Sequence, residues 1–166
     1  MPVVALLLAH PLPAHPDEAP CASPQRLAAA EALVPDLLLW ISSHSEYDHA
    51  ATPEPQIAFC RAGDRVQYEG TWIVTDNDLR GAYDLKNRRV WLVLPWSDVD
   101  PMAVSTLLHE LVHHLQFAET SWPCTAAAEW EAYSLQHLWL EERGIASGFD
   151  LPQIRLRSRC PVDVHP

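Results

Sequence analysis

Glycine is scarce in this chain. There are five in 166 residues, and none falls in a phosphate-cradling run or a G-x-S-x-G turn. Nucleotide-binding loops and the serine-hydrolase elbow both need glycine at fixed offsets, so neither is expected. Cations are scarce too: eleven Lys and Arg stand against twenty-two Asp and Glu, a formal charge of −11. Neutralising phosphates takes clustered cations, which excludes nucleic acid as the expected partner. No apolar run approaches the roughly 18–20 residues of a membrane span, so no transmembrane segment is predicted. The four cysteines, Cys21, Cys60, Cys124 and Cys160, form no CxxC or CxxH pair. A thiolate zinc site or a redox dithiol is therefore unsupported. An even count of scattered cysteines fits two disulfides in any of three pairings, or four buried thiols.

What the chain does contain is apolar. Apolar residues make up 48% of it, with seven Trp, enough for one well-filled core. Residues 3–9 look like a short signal-type apolar run, yet no basic residue precedes them and the first is Arg26. Five prolines between residues 10 and 24 follow. Residues 1–24 therefore read as an irregular leader or signal-like segment, a weak pointer to a secreted or periplasmic protein. Residues 25–166 read as one domain.

Within that domain, Ser23 and Pro24 are the N-cap and first position of a helix through "LLLWISSHS", which Pro35 is expected to kink or split. "QIAFCRA", "GTWIVTD" and "RRVWLVLPW" read as strands. Lys86-Asn87 marks a turn that would make "GAYDL" and "RVWLVL" antiparallel partners. Asp100 and Pro101 open the clearest helix, and "TAAAEWEAYSLQHLWLEERG" is another, closed by Gly144. Ile154 and Leu156 alternate with arginines, the pattern of an edge strand.

The stretch "HELVHHLQ" carries the chemistry. At 100° per residue, Val104, Leu107, Leu108, Leu111, Val112 and Leu115 form one apolar stripe. His109 and His113 share the other side of the helix, one turn apart, with Glu110 beside them. His114 points about 100° away from His113 and reads as structural. Imidazoles at i and i+4 can reach one metal ion, and His109-Glu110-x-x-His113 is the zincin pattern. Two neutral imidazoles and a third protein ligand hold zinc, water takes the open position, and the adjacent carboxylate takes its proton.

Two glutamates on the following helix, Glu129 and Glu131, are candidates for the third ligand. Here residues 80–140 resemble the gluzincin-type zinc metallopeptidases, particularly small single-domain members. The resemblance implies an α+β, zincin-like fold: a small, mainly antiparallel sheet packed on the HExxH helix and a glutamate helix. It implies a zinc cofactor, a peptide or protein substrate, and substrate binding along an edge strand, for which 90–95 is the candidate. In such families the ligand glutamate opens a Glu-x-x-small-Asp/Asn pattern, which Glu129 and Ala132 fit. Tyr133 departs from it, since Asp or Asn there orients a zinc-bound histidine. Glu131 remains the rival. Tyr133, His137 and Tyr83 are candidate donors to an oxyanion. The cluster His44, Glu46, Asp48 and His49 is a further grouping of metal-capable side chains. The expectation is a zinc metallopeptidase with Glu110 as base; the alternative is a zincin-like protein that binds metal or a partner without catalysis.

Overall fold

A computed structural model describes residues 23–161; residues 1–22 of the signal-like leader, Cys21 among them, lie outside them. Ser23 caps α1 (Pro24–His44) by accepting from the Arg26 amide. Pro35 lies inside this helix without ending it. The helix is not split there because Pro35 faces solvent, where water can take the carbonyl it leaves unpaired, while Val34, Leu37, Leu38 and Ile41 anchor the opposite face. Five strands follow: β1 (Gln56–Arg61), β2 (Arg65–Tyr68), β3 (Thr71–Val74), β4 (Gly81–Asp84) and β5 (Arg89–Leu94). Strand β2 had no counterpart in the sequence reading, being short and only half apolar.

The larger sheet has the order β1-β5-β4, and β2-β3 form a separate hairpin. The predicted β4–β5 hairpin is present, with Tyr83 opposite Val90, but β1 runs parallel to β5. The sheet is therefore mixed rather than mainly antiparallel. The expectation of an edge strand at 90–95 is also corrected: β5 (Arg89–Leu94) is the central strand, and the edges are β1 and β4. Strand β5 is apolar on both faces because both are covered. Val90 and Leu92 meet the helices, whereas Val93 packs with Cys60 and Val66 on the hairpin side.

Asp100 caps α2 (Pro101–Glu119) through the Met102 amide. The predicted stripe from Val104 to Leu115 is buried throughout and lies in the main core. Truncating one of its leucines to alanine costs about 2–5 kcal/mol. Helix α3 (Thr125–Glu141) packs on α2, and Gly144 at φ +69° closes it. The predicted tail strand is instead α4 (Leu151–Arg157). Asp150 accepts from the Gln153 amide and Pro152 sits in the first turn, an N-terminal signature that outweighs the two-residue alternation. A Cys124–Cys160 disulfide ties the start of α3 to the segment after α4.

Candidate metal centre

Helix α2 carries His109 and His113 on the side opposite its core stripe, and α3 crosses there with its first turns. Ala128 and Ala132, both fully buried, let the two helices approach closely. The approach brings Glu129 onto the imidazoles. Its two carboxylate oxygens lie 3.3 Å from His109 Nε2 and 3.4 Å from His113 Nε2, and the two Nε2 atoms are 3.1 Å apart. These three side chains form a group able to hold a metal ion.

The outer hydrogen bonds decide which nitrogens carry protons. Gln116 donates its amide to Ala128 O at 3.0 Å and to Glu131 Oε2 at 2.9 Å, neither of which can donate in return. Its Oε1 must then face His113 Nδ1, at 2.8 Å. Gln136 donates to Ser105 Oγ, whose own proton goes to Met102 O, so Gln136 Oε1 faces His109 Nδ1 at 3.1 Å. Both histidines thus hold their protons on Nδ1 and turn bare Nε2 atoms toward a carboxylate. Three electron-rich groups converge with no donor among them, an arrangement that calls for a cation.

The electrostatics agree. Burial alone would raise the Glu129 carboxyl, but the His109 and His113 hydrogen bonds outweigh it and hold it well below the usual carboxylate range. Burial alone would lower the His113 imidazole, but Glu129 and then Glu110 raise it. Both shifts have the same sense: the group favours positive charge between the imidazoles and the carboxylate. Glu110 is 5% exposed, and burial pushes its carboxyl up against the opposing pull of the two histidines. It lies at the β4 edge, where the Tyr83 amide stabilises its charge and Gly81 makes room. A Cβ on Gly81 would stand 2.8 Å from Glu110 Oε1.

Glu131 is not in the group. It accepts from Tyr47 Oη at 2.5 Å and from Gln116, so it backs His113 through a glutamine. Tyr133 packs edge-on against His109, with ring centroids 4.5 Å apart, and lines the cleft. His137 does not line it; this imidazole is tied to Ser147 Oγ at 2.8 Å and to Glu141 at 3.3 Å. Tyr83 lends its backbone to the cleft while its hydroxyl turns to His114 at 3.0 Å. The His44, Glu46, Asp48, His49 cluster does not converge. His44 pairs with Glu142, His49 with Ser42, and Asp48 caps the 3₁₀ turn that follows it.

A family model described as a domain of unknown function (DUF6647) matches residues 26–166. The chain belongs to this family. No curated protein and no solved structure matches it. His109, Glu110, His113 and Glu129 all fall within the DUF6647 match, so the whole centre lies inside it.

Four contributors were absent from the sequence reading: Gln116, Gln136, Gly81 and Tyr68. Gln116 was legible in principle, since it lies three residues after His113 on one helix face. Gln136, seven residues after Glu129 on the same helix, meets His109 Nδ1 across the helix pair. Tyr68 comes from β2, and its hydroxyl donates to Tyr83 O at 3.1 Å. Nothing local marks that contact.

Proposed function

We propose that the protein is a zinc-dependent hydrolase, a peptidase in which Glu110 is the general base. The observation that carries this reading is the convergence of two bare imidazole nitrogens and a carboxylate beside a second, buried carboxylate. Two neutral imidazoles and one carboxylate are the donor set of zinc sites that keep a position open. Donors about 2.0–2.1 Å from a tetrahedral ion stand roughly 3.3–3.4 Å from one another. The separations here are 3.1, 3.3 and 3.4 Å, which supports zinc over larger ions.

When bound, zinc supplies a Lewis acid that polarises a carbonyl and makes water acidic near neutral pH. Glu110 accepts that proton, and its burial lets it keep the proton long enough to pass it to the leaving amine. Tyr133 and Tyr68 both line the cleft, but the Tyr68 proton is committed to Tyr83 O, which leaves Tyr133 as the hydroxyl donor. Burial, reinforced by nearby carboxylates, raises the Tyr133 hydroxyl, so it stays protonated to serve a developing oxyanion. The cleft holds about 820 Å³ and runs along the β4 edge, a place where an extended peptide can add as a strand. A protein that only held metal would have no use for the buried Glu110.

The test is metal analysis of protein never exposed to chelator, followed by a peptide-library digest. One zinc per chain is expected. Glu110→Gln is expected to keep that zinc and lose hydrolysis by about a hundredfold or more. Full hydrolysis by Glu110→Gln would overturn the assignment of the base.

A further inference from the structure

The β4 edge is open at one end and closed at the other. Arg80 O accepts from Val93 N at 2.9 Å, so by alternation Ala82 and Asp84 also turn their backbone groups to β5. Gly81, Tyr83 and Leu85 then turn theirs to the open edge. The Tyr83 carbonyl takes the Tyr68 hydroxyl, and the Tyr83 amide serves Glu110. The amides of Leu85 and Lys86 both donate to Glu69 Oε1. Lys86 also closes over Gly70, where a Cβ would meet its Nζ at 2.5 Å. The tip of the β2–β3 hairpin therefore caps the edge beyond Tyr83. Only the Gly81 side offers backbone groups to an added strand.

We propose that the cleft selects peptides by a free N-terminus lying one or two residues before the scissile bond. Glu110 sits between Gly81 and Tyr83, which places the reacting bond there. From Tyr83 to the cap at Leu85 there is about 7 Å of strand, room for about two residues. Antiparallel pairs outnumber parallel ones roughly two- to three-fold, and an antiparallel peptide points its N-terminus at the cap. The group waiting there is the carboxylate of Glu69, which lines the cleft and matches an α-ammonium. Past Gly81 the cleft continues along Arg80 and Leu79, so the C-terminal side of the peptide can be long.

This inference rests on the peptidase reading, yet binding can be measured apart from hydrolysis. The probe is a pool of tripeptide amides randomised at the first two positions, presented to zinc-loaded Glu110→Gln protein. Retention is read by ultrafiltration and mass spectrometry. Free-amine tripeptides are expected to be retained about tenfold or more over N-acetylated ones and over those extended by four N-terminal residues. C-terminal extension is expected to be tolerated. Adding Glu69→Gln, which keeps the acceptor for Leu85, is expected to erase the preference for the free amine. Equal retention of N-extended peptides, or retention of none, would overturn the proposal. Retention as expected with no cleavage of the same pool by the unsubstituted protein would leave the ligand class standing and overturn the peptidase reading instead.

Discussion

His113 and His114 are neighbours on one helix, both buried, and their surroundings treat them in opposite ways. On the cleft side His113 has one nitrogen satisfied by Gln116 and the other left bare before Glu129. On the sheet side His114 has both nitrogens satisfied, Nδ1 by the Tyr83 hydroxyl at 3.0 Å and Nε2 by Pro53 O at 2.9 Å. One imidazole is raised in pKa by its carboxylates, and the other is lowered, chiefly by burial. A saturated buried histidine is a structural pin; one held with an unsatisfied lone pair before a carboxylate is waiting for a cation. Burial alone would lower both rings; the carboxylates that His113 faces, and His114 does not, set the difference.

The strongest way to break that contrast is to remove a side chain from each side. His113→Ala and Glu129→Ala are expected to lose stoichiometric zinc altogether while the chain stays folded, by metal analysis and circular dichroism. Glu131→Ala, one turn-face away on the same helix, is expected to keep it. His114→Ala reverses the pattern. It leaves the Tyr83 hydroxyl unpaired and opens a cavity, and it is expected to cost about 2–4 kcal/mol in denaturant unfolding. Folded His114→Ala protein is expected to bind zinc as the unsubstituted protein does. Zinc loss in His114→Ala, or retention in His113→Ala, would undo the distinction.

A smaller effect tests the glutamines. Gln116→Ala and Gln136→Ala free the imidazoles to rotate, and a weakening of zinc affinity of about 10–100-fold is expected in a chelator competition. A change confined to stability would make them packing residues only.

Glu110 gives a pH-dependent comparison in metal-free protein. Its carboxyl is raised by burial in the fold, so the folded state binds its proton more tightly than the unfolded chain. The resulting loss of stability is absent below the ordinary carboxylate range and grows as pH rises toward the folded pKa. Thermal scans are expected to show metal-free Glu110→Gln melting above the unsubstituted protein at about pH 7, with the gap closing near about pH 4. A Glu110→Gln protein that melts lower at neutral pH would contradict the buried-carboxylate account. Least perturbing of all is an imidazole NMR titration of the same metal-free protein. His113 is expected to titrate above 6.5 and His114 below it.

Much of this was readable from local pattern. The Asp100-Pro101 start of α2, its apolar stripe, the His109/His113 pair and the β4–β5 hairpin all follow from residues within a few positions of each other. The failures share a cause as well. Pro35 was judged by its own chemistry when the core face of α1 decided the outcome. Residues 151–157 were judged by a two-residue alternation when Asp150 and Pro152 set a helix. Strand β5 is central and not an edge because it pairs with β1, 33 residues earlier, which neither segment shows alone.

By itself the sequence determined that a helix would present two imidazoles and a carboxylate on one side and a continuous apolar stripe on the other, since 3.6-residue periodicity is a local property. Only the tertiary structure decided which glutamate meets them, that Gln116 and Gln136 leave their Nε2 atoms bare, and that Glu69 closes the β4 edge. Each of these rests on contacts from another element; even Gln116, local to His113, is oriented by Ala128 and Glu131 of the next helix. Their hydrogen bonds depend on how α3 crosses α2 and how the β2–β3 hairpin folds over β4, geometry that core packing sets and local pattern does not encode.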